Sequence, residues 1–140
     1  MTFDWKAPDY TAVLVERAER LAKLRAMSAE DIVAIKAYYR NNPVQFINDW
    51  GMTSDPRNVE IGLPVNIPFI MFPKQCEFVE WTYALWQGRE DGLAEKSRDM
   101  GVSWLCVAIA AHMFKRLLAY SDLHFPFIFA GVIAVIALVE

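Results

Sequence analysis

The chain has 140 residues, 55% of them hydrophobic and 22% charged, enough apolar content for one buried core and too much for a disordered segment. Its net charge of −3 and pI near 5.4 exclude a general attraction to nucleic acid, so any such contact requires a local basic patch. Cys76 and Cys106 stand alone, without a second Cys or His at ligand spacing, which excludes a disulfide scaffold and a zinc finger and fits a reducing compartment.

The opening residues 1–23 are polar, with Asp4, Asp9, Glu16 and Glu19 where a secretory leader needs an unbroken apolar run. Leu14, Ala18, Leu21 and Leu24 recur on one face of a predicted helix over residues 10–27, with Glu16, Arg17, Glu19, Arg20 and Lys23 on the others. Ser28, with Asp31 three residues on, reads as a capping-box start for a second helix over 29–40. Asn41-Asn42-Pro43 stops it, and a short helix over 44–50 comes next. Residues 51–66, with Gly51, Pro56, Gly62 and Pro64, read as an irregular connection, and 68–72 as a candidate strand. Pro73 suits the first turn of a helix over 74–87, whose Phe78, Trp81 and Leu85 share a face. Residues 88–92 form a turn, 93–96 a short candidate strand, and 104–114 an apolar helix expected to be buried on most sides against a sheet. Trp50, Trp81, Trp86 and Trp104 read as core, Cys76 and Cys106 as small buried hydrophobes, and His112 as a satisfied core histidine.

All 14 basic residues lie between Lys6 and Arg116, and residues 117–140 carry only Asp122 and Glu140 as charges. Within them 125–139 is an uncharged apolar run, short of the roughly 20 residues of a spanning helix. It stands as a buried element, a marginal membrane segment, or sequence never shaped for a soluble fold.

Residues 96–103 can be laid over the phosphate-cradling pattern G-x-x-x-x-G-K-S/T. Gly101 takes the second glycine and Ser103 the metal-ligating hydroxyl, while Lys96 stands at the first glycine and Val102 at the usual lysine. Such a loop needs amides facing an anion at a helix N-terminus, one mobile cation and one hydroxyl. A lysine at the loop entrance can fold back over the anion, and Arg98 offers a second cation. The same residues also read as a solvated turn, with Ser103 simply capping the helix after it.

Residues 43–106 resemble the N-terminal part of the ATPase domain of phage terminase large subunits, the motors that pump DNA into procapsids. The resemblance is carried by Phe46-Ile47-Asn48-Asp49-Trp50-Gly51, Asp55-Pro56-Arg57-Asn58, Phe72-Pro73-Lys74-Gln75 and above all Glu95-Lys96-Ser97-Arg98-Asp99-Met100-Gly101-Val102-Ser103-Trp104. In that family the loop lysine sits at the start, as Lys96 does. The resemblance implies an α/β fold, the N-terminal fragment of a P-loop NTPase (terminase-type) domain, mostly helical in the portion present. Its implied organisation is a helical region over 1–42, a partial ATPase domain over 43–116 and an apolar tail over 117–140.

It also implies ATP and Mg²⁺ as cofactors. Lys96 would bind phosphate, with Ser97, Arg98, Asp99, Met100, Gly101 and Val102 forming the rest of the loop. Ser103 would ligate the metal, and Gln75 would bind adenine through its amide, though a glutamine at a helix start also reads as an ordinary surface residue. The implied partners are the small terminase subunit, the procapsid portal and double-stranded DNA, in the cytoplasm of a bacterial host. The family's second acidic motif has only Val135-Ile136-Ala137-Leu138-Val139-Glu140 as a counterpart, with a single acid, and its nuclease has none. The expectation is therefore a truncated or frame-disrupted prophage gene whose product binds nucleotide weakly or not at all, without turnover. Two other readings stay open: a small protein anchored in a membrane by residues 117–139, and a helical module in which residues 10–40 dock onto a partner.

Overall fold

The computed structural model describes residues 3–95 and 101–118, the last four of these as backbone only. It is mostly helical, with one small sheet, and divides into two compact units, Met1–Cys76 and Glu77–Glu140.

The first unit opens with α1 (Tyr10–Arg25), whose N-cap Asp9 accepts the Ala12 amide at 2.9 Å and whose last turn carries Lys23 and Arg25 against the negative end of the helix dipole. Helix α2 (Ala29–Asn41) starts as its sequence signature demands: Ser28 Oγ accepts the Asp31 amide at 3.1 Å and donates to the Asp31 carboxylate at 2.8 Å. Pro43 then sets the first turn of α3 (Pro43–Trp50), where a missing amide hydrogen costs nothing.

The stretch expected to be irregular is ordered. It holds β1 (Met52–Ser54) and a 3₁₀ helix (Pro56–Ile61) that ends on Gly62 at φ 72°, a left-handed position suited to glycine. Strand β2 (Asn66–Pro68) pairs antiparallel with β1, Thr53 opposite Ile67. The candidate strand at 68–72 therefore contributes only Pro68 to β2: the Phe69 amide still meets Gly51, the next residue in register, but the Met71 amide turns to a side chain of α3. Phe69 donates to the Gly51 carbonyl at 2.9 Å and Met71 to Asn48 Oδ1 at 2.9 Å. Ile47, Ile67, Pro68, Phe69 and Met71 are buried apolar residues of this unit.

Helix α1 does not bury the face predicted for it. Arg17 is 8% exposed, and Tyr10, Val13, Arg20 and Leu24 are half-buried, while Leu14, Ala18 and Leu21 face outward. The reason is polar: Arg17 and Arg20 hold α1 against the end of α3, and this anchoring wins over the stripe of leucines.

The second unit contains most of α4 (Pro73–Gly88) and all of α5 (Val102–Leu118). Val79 and Tyr83 of α4 and Leu105, Ile109 and His112 of α5 are buried at helical spacing. His112 is the satisfied core histidine expected of it: its Nδ1 hydrogen-bonds the Tyr83 hydroxyl, and the two rings meet edge-on at 5.4 Å. Helix α5 is not buried on most sides, since Ser103, Cys106, Ala110 and Phe114 form an exposed stripe. Cys106 is thus exposed and Cys76 half-buried, and Trp81 and Trp86 lie 39% and 42% exposed, against the expectation of core positions, with Trp50 and Trp104 half-buried.

Helix α4 ends in a reversal in which Glu90 donates to the Leu85 carbonyl at 2.9 Å and Arg89 takes φ 56°. A non-glycine residue is strained there. Arg89→Gly is expected to raise stability by about 0.5–1 kcal/mol, read as a higher midpoint of thermal unfolding. Gly92 then lies so close to α4 that a Cβ would fall 2.6 and 2.8 Å from the Trp81 ring and inside contact of Leu85. The strand expected at 93–96 does not form in its described part, residues 93–95, where Leu93 is 97% exposed. No strand lies beside it among the described residues of this unit, so the short segment has no described partner to pair with.

Candidate functional site

Of the residues proposed to hold a nucleotide, Lys96, Ser97, Arg98, Asp99 and Met100 lie outside the described residues. The entry into α5 is defined. Gly101 stands at φ 68° immediately before that helix, and its carbonyl accepts the Leu105 amide at 3.1 Å, closing the first turn. The amides of Val102, Ser103 and Trp104 are the opening donors of α5, which have no carbonyl one turn back inside the helix to pair with. Ser103 sits in that turn with its side chain exposed. A left-handed glycine feeding a helix whose first turn presents a hydroxyl is the local geometry that anion binding at a helix start uses. The approach to the loop is pinned by Gly92 against Trp81 and Leu85.

Gln75 belongs to the first unit and Gly101, Val102 and Ser103 to the second. Its Oε1 accepts the Phe72 amide at 2.9 Å, the reach-back of a third-position glutamine to the residue before the helix. That is the ordinary role of a polar residue at a helix start. Among the described residues no group of three or more His, Cys, Asp and Glu side chains is placed to hold a metal ion. Nor is any described helix long and apolar enough to cross a membrane; the apolar run 125–139 lies outside the described residues.

A polar cluster in the first unit has no counterpart in the sequence reading. Arg17 donates from Nη2 to the Asn48 carbonyl at 2.7 Å and from Nη1 to the Gly51 carbonyl at 2.8 Å, so its guanidinium caps the C-terminal end of α3. Nη1 also lies 3.3 Å from Met52 Sδ. Arg20 pairs with Asp49 at 2.7 Å and with Glu16 at 2.9 Å, and its guanidinium lies 5.8 Å from the centre of the Trp50 ring. Asp49, 9% exposed, also accepts from Tyr39 Oη and Gln45 Nε2, each at 2.8 Å. Burial lowers the Arg17 pKa, a shift opposed by the nearby Asp49 charge, and Arg17 Nε is buried without a hydrogen-bond partner. The cluster ties α1, α2 and α3 together, and the hydrogen bonds around Asp49 are spent on that task. Its signal in the sequence was the pair Arg17 and Arg20 three apart on one helix, with Asp49-Trp50-Gly51 closing another.

Tyr39 gives this cluster a pH signature. Burial raises its phenol above the ordinary 10.0, and the hydrogen bond to Asp49 adds to the rise. A raised value means that the fold favours the protonated phenol. The associated stability is present below the ordinary tyrosine range and is lost as pH climbs through the raised value. Urea unfolding across alkaline pH is expected to show this loss in the wild type and a smaller one in Tyr39→Phe.

No family model matches the chain, and neither a curated protein nor a solved structure matches it.

Proposed function

We propose that this chain carries the N-terminal part of a P-loop ATPase domain of the phage terminase large-subunit type, with residues 96–103 as its phosphate-binding loop. The observation that supports this most is the run Glu95-Lys96-Ser97-Arg98-Asp99-Met100-Gly101-Val102-Ser103-Trp104, in which a left-handed Gly101 opens α5 and an exposed Ser103 comes two residues later. In this reading the Lys96 amine neutralises the phosphates, Arg98 adds a second cation, and the amides at the start of α5 donate to phosphate oxygens. The Ser103 hydroxyl would be the protein's ligand to a Mg²⁺ bound with the nucleotide. Bound Mg²⁺ would screen the phosphate charge. Gln75 already serves the start of α4, so support for nucleotide binding comes from 96–103 and not from the proposed adenine contact.

The function so proposed is a contribution to ATP-driven DNA packaging, with the small subunit, the portal and double-stranded DNA as partners in the host cytoplasm. The neighbouring genomic DNA tests it. The reading predicts a downstream frame encoding an apolar strand that ends in Asp-Glu and then a nuclease with an acidic metal cluster. A locus with no such frame on either strand would remove the terminase assignment.

A further inference from the structure

Residues 3–9, ahead of α1, bury no side chain, yet they are fastened to a turn 65 residues further along the same unit. Trp5 Nε1 donates to the Ile70 carbonyl at 3.4 Å, and the Trp5 ring lies 5.3 Å from that of Phe72, tilted by 33°. Phe3 extends the aromatic contact, 5.8 Å from both the Trp5 and the Tyr10 rings. Trp5 and Phe72 are 40% and 49% exposed, so the grip is made at the surface. Phe72 has a second task, because it immediately precedes α4. Its carbonyl accepts the Gln75 and Cys76 amides at 2.9 and 3.0 Å, and its amide donates to Gln75 Oε1 at 2.9 Å. Met71, between Ile70 and Phe72, is held from α3 by Asn48. Trp5 therefore grips the two residues that flank this fixed point.

We propose that residues 3–9 are a detachable clasp on the start of α4. Closed, Trp5 holds the turn at residues 70–72 in the shape that receives the first amides of the helix. Open, that first turn frays, while the cluster of Arg17, Arg20 and Asp49 stays intact. The two sets of contacts differ in kind. The clasp is held by one long hydrogen bond and a ring contact in water, with no buried side chain of its own behind them. The cluster is made of charged groups, with Arg17 and Asp49 buried and bonds of 2.7 to 2.8 Å. Contacts of the first kind open locally, well below the free energy of global unfolding, and leave a minor open population. The clasp ends at Asp9, which accepts the Ala12 amide and so belongs to the helix that follows. This device does not depend on nucleotide binding. It makes the order of the first turn of α4 conditional on the N-terminal segment.

Hydrogen exchange of the full chain, followed by NMR, tests this. The Trp5 indole N–H is identified as the signal missing from Trp5→Phe. It is expected to exchange through an opening that low urea does not accelerate, whereas exchange of the buried Phe69 amide should rise with urea. Trp5→Ala should speed exchange of the Phe72, Gln75 and Cys76 amides roughly tenfold and leave that of Phe69 within about twofold. Trp5→Phe keeps a ring but not the N–H, so it should give only part of the effect. An indole N–H that exchanges only by global unfolding would overturn the proposal. So would unchanged exchange at Phe72, Gln75 and Cys76 in Trp5→Ala, or an equal rise at Phe69.

Discussion

Arg17→Ala is expected to cost the fold about 3 kcal/mol, read as a lower urea midpoint with an unchanged slope. The guanidinium gives two charge-assisted hydrogen bonds, at 2.7 and 2.8 Å, to the Asn48 and Gly51 carbonyls at the end of α3. Truncation removes both donors at once. It also opens a void at a position only 8% exposed, where solvent does not readily replace them. Arg17→Lys keeps the charge, but its single ammonium cannot reproduce the planar fork, so it should recover only part of the loss. A change below about 0.5 kcal/mol for Arg17→Ala, the usual scale of surface substitutions, would show that α1 is held by something other than this cap.

Asp49→Ala is expected to cost a similar amount, about 3 kcal/mol, for a different reason. Its carboxylate is shared by Arg20, Tyr39 and Gln45, so removing it leaves three donors from three helices without their common acceptor. Arg20 keeps its contact with the Trp50 ring and its pairing with the more exposed Glu16, in water, where an ion pair contributes little. Asp49→Asn should fall between alanine and the wild type, because an amide oxygen still accepts while the charge is gone. Equal losses for Asn and Ala would mean that the Arg20 charge pairing, and not the number of hydrogen bonds, carries the effect.

The elements that are legible in the sequence are those set by local chemistry. Ser28 with Asp31 and Pro73 each mark a helix start, Asn41-Asn42-Pro43 marks a helix end, and all three boundaries stand within a residue or two of where the sequence places them. His112 is legible because a lone histidine on an apolar helix needs one partner, and Tyr83 supplies it. The sheet is not legible. Its strands are three residues each, and the pairing of Thr53 with Ile67 depends on a 3₁₀ turn that carries no periodic pattern.

The inward face of α1 escapes a reading by apolar periodicity, because periodicity says nothing of the polar groups that neighbouring elements leave unsatisfied. The carbonyls at the end of α3 need donors, and Arg17 on α1 reaches them. Trp81, Trp86 and Cys106 escape it because apolar character does not guarantee burial, and helices of a small unit keep one side in water. At the candidate site, Gly101 and Ser103 are legible as a turn entering a helix. The described part of the strand expected before the loop, residues 93–95, does not form one, and no strand lies beside it among the described residues of its unit.

The amine of Lys96 and the first turn of α5 together are proposed to bind a triphosphate with its metal, and the functional account stands on that pairing. Isothermal titration of the full chain with Mg-ATP measures it. Saturable one-site binding is expected, weakened at least tenfold in Lys96→Ala, and weakened in Ser103→Ala only when Mg²⁺ is present. Binding that is absent in the wild type, or that is the same in Lys96→Ala, would contradict the account.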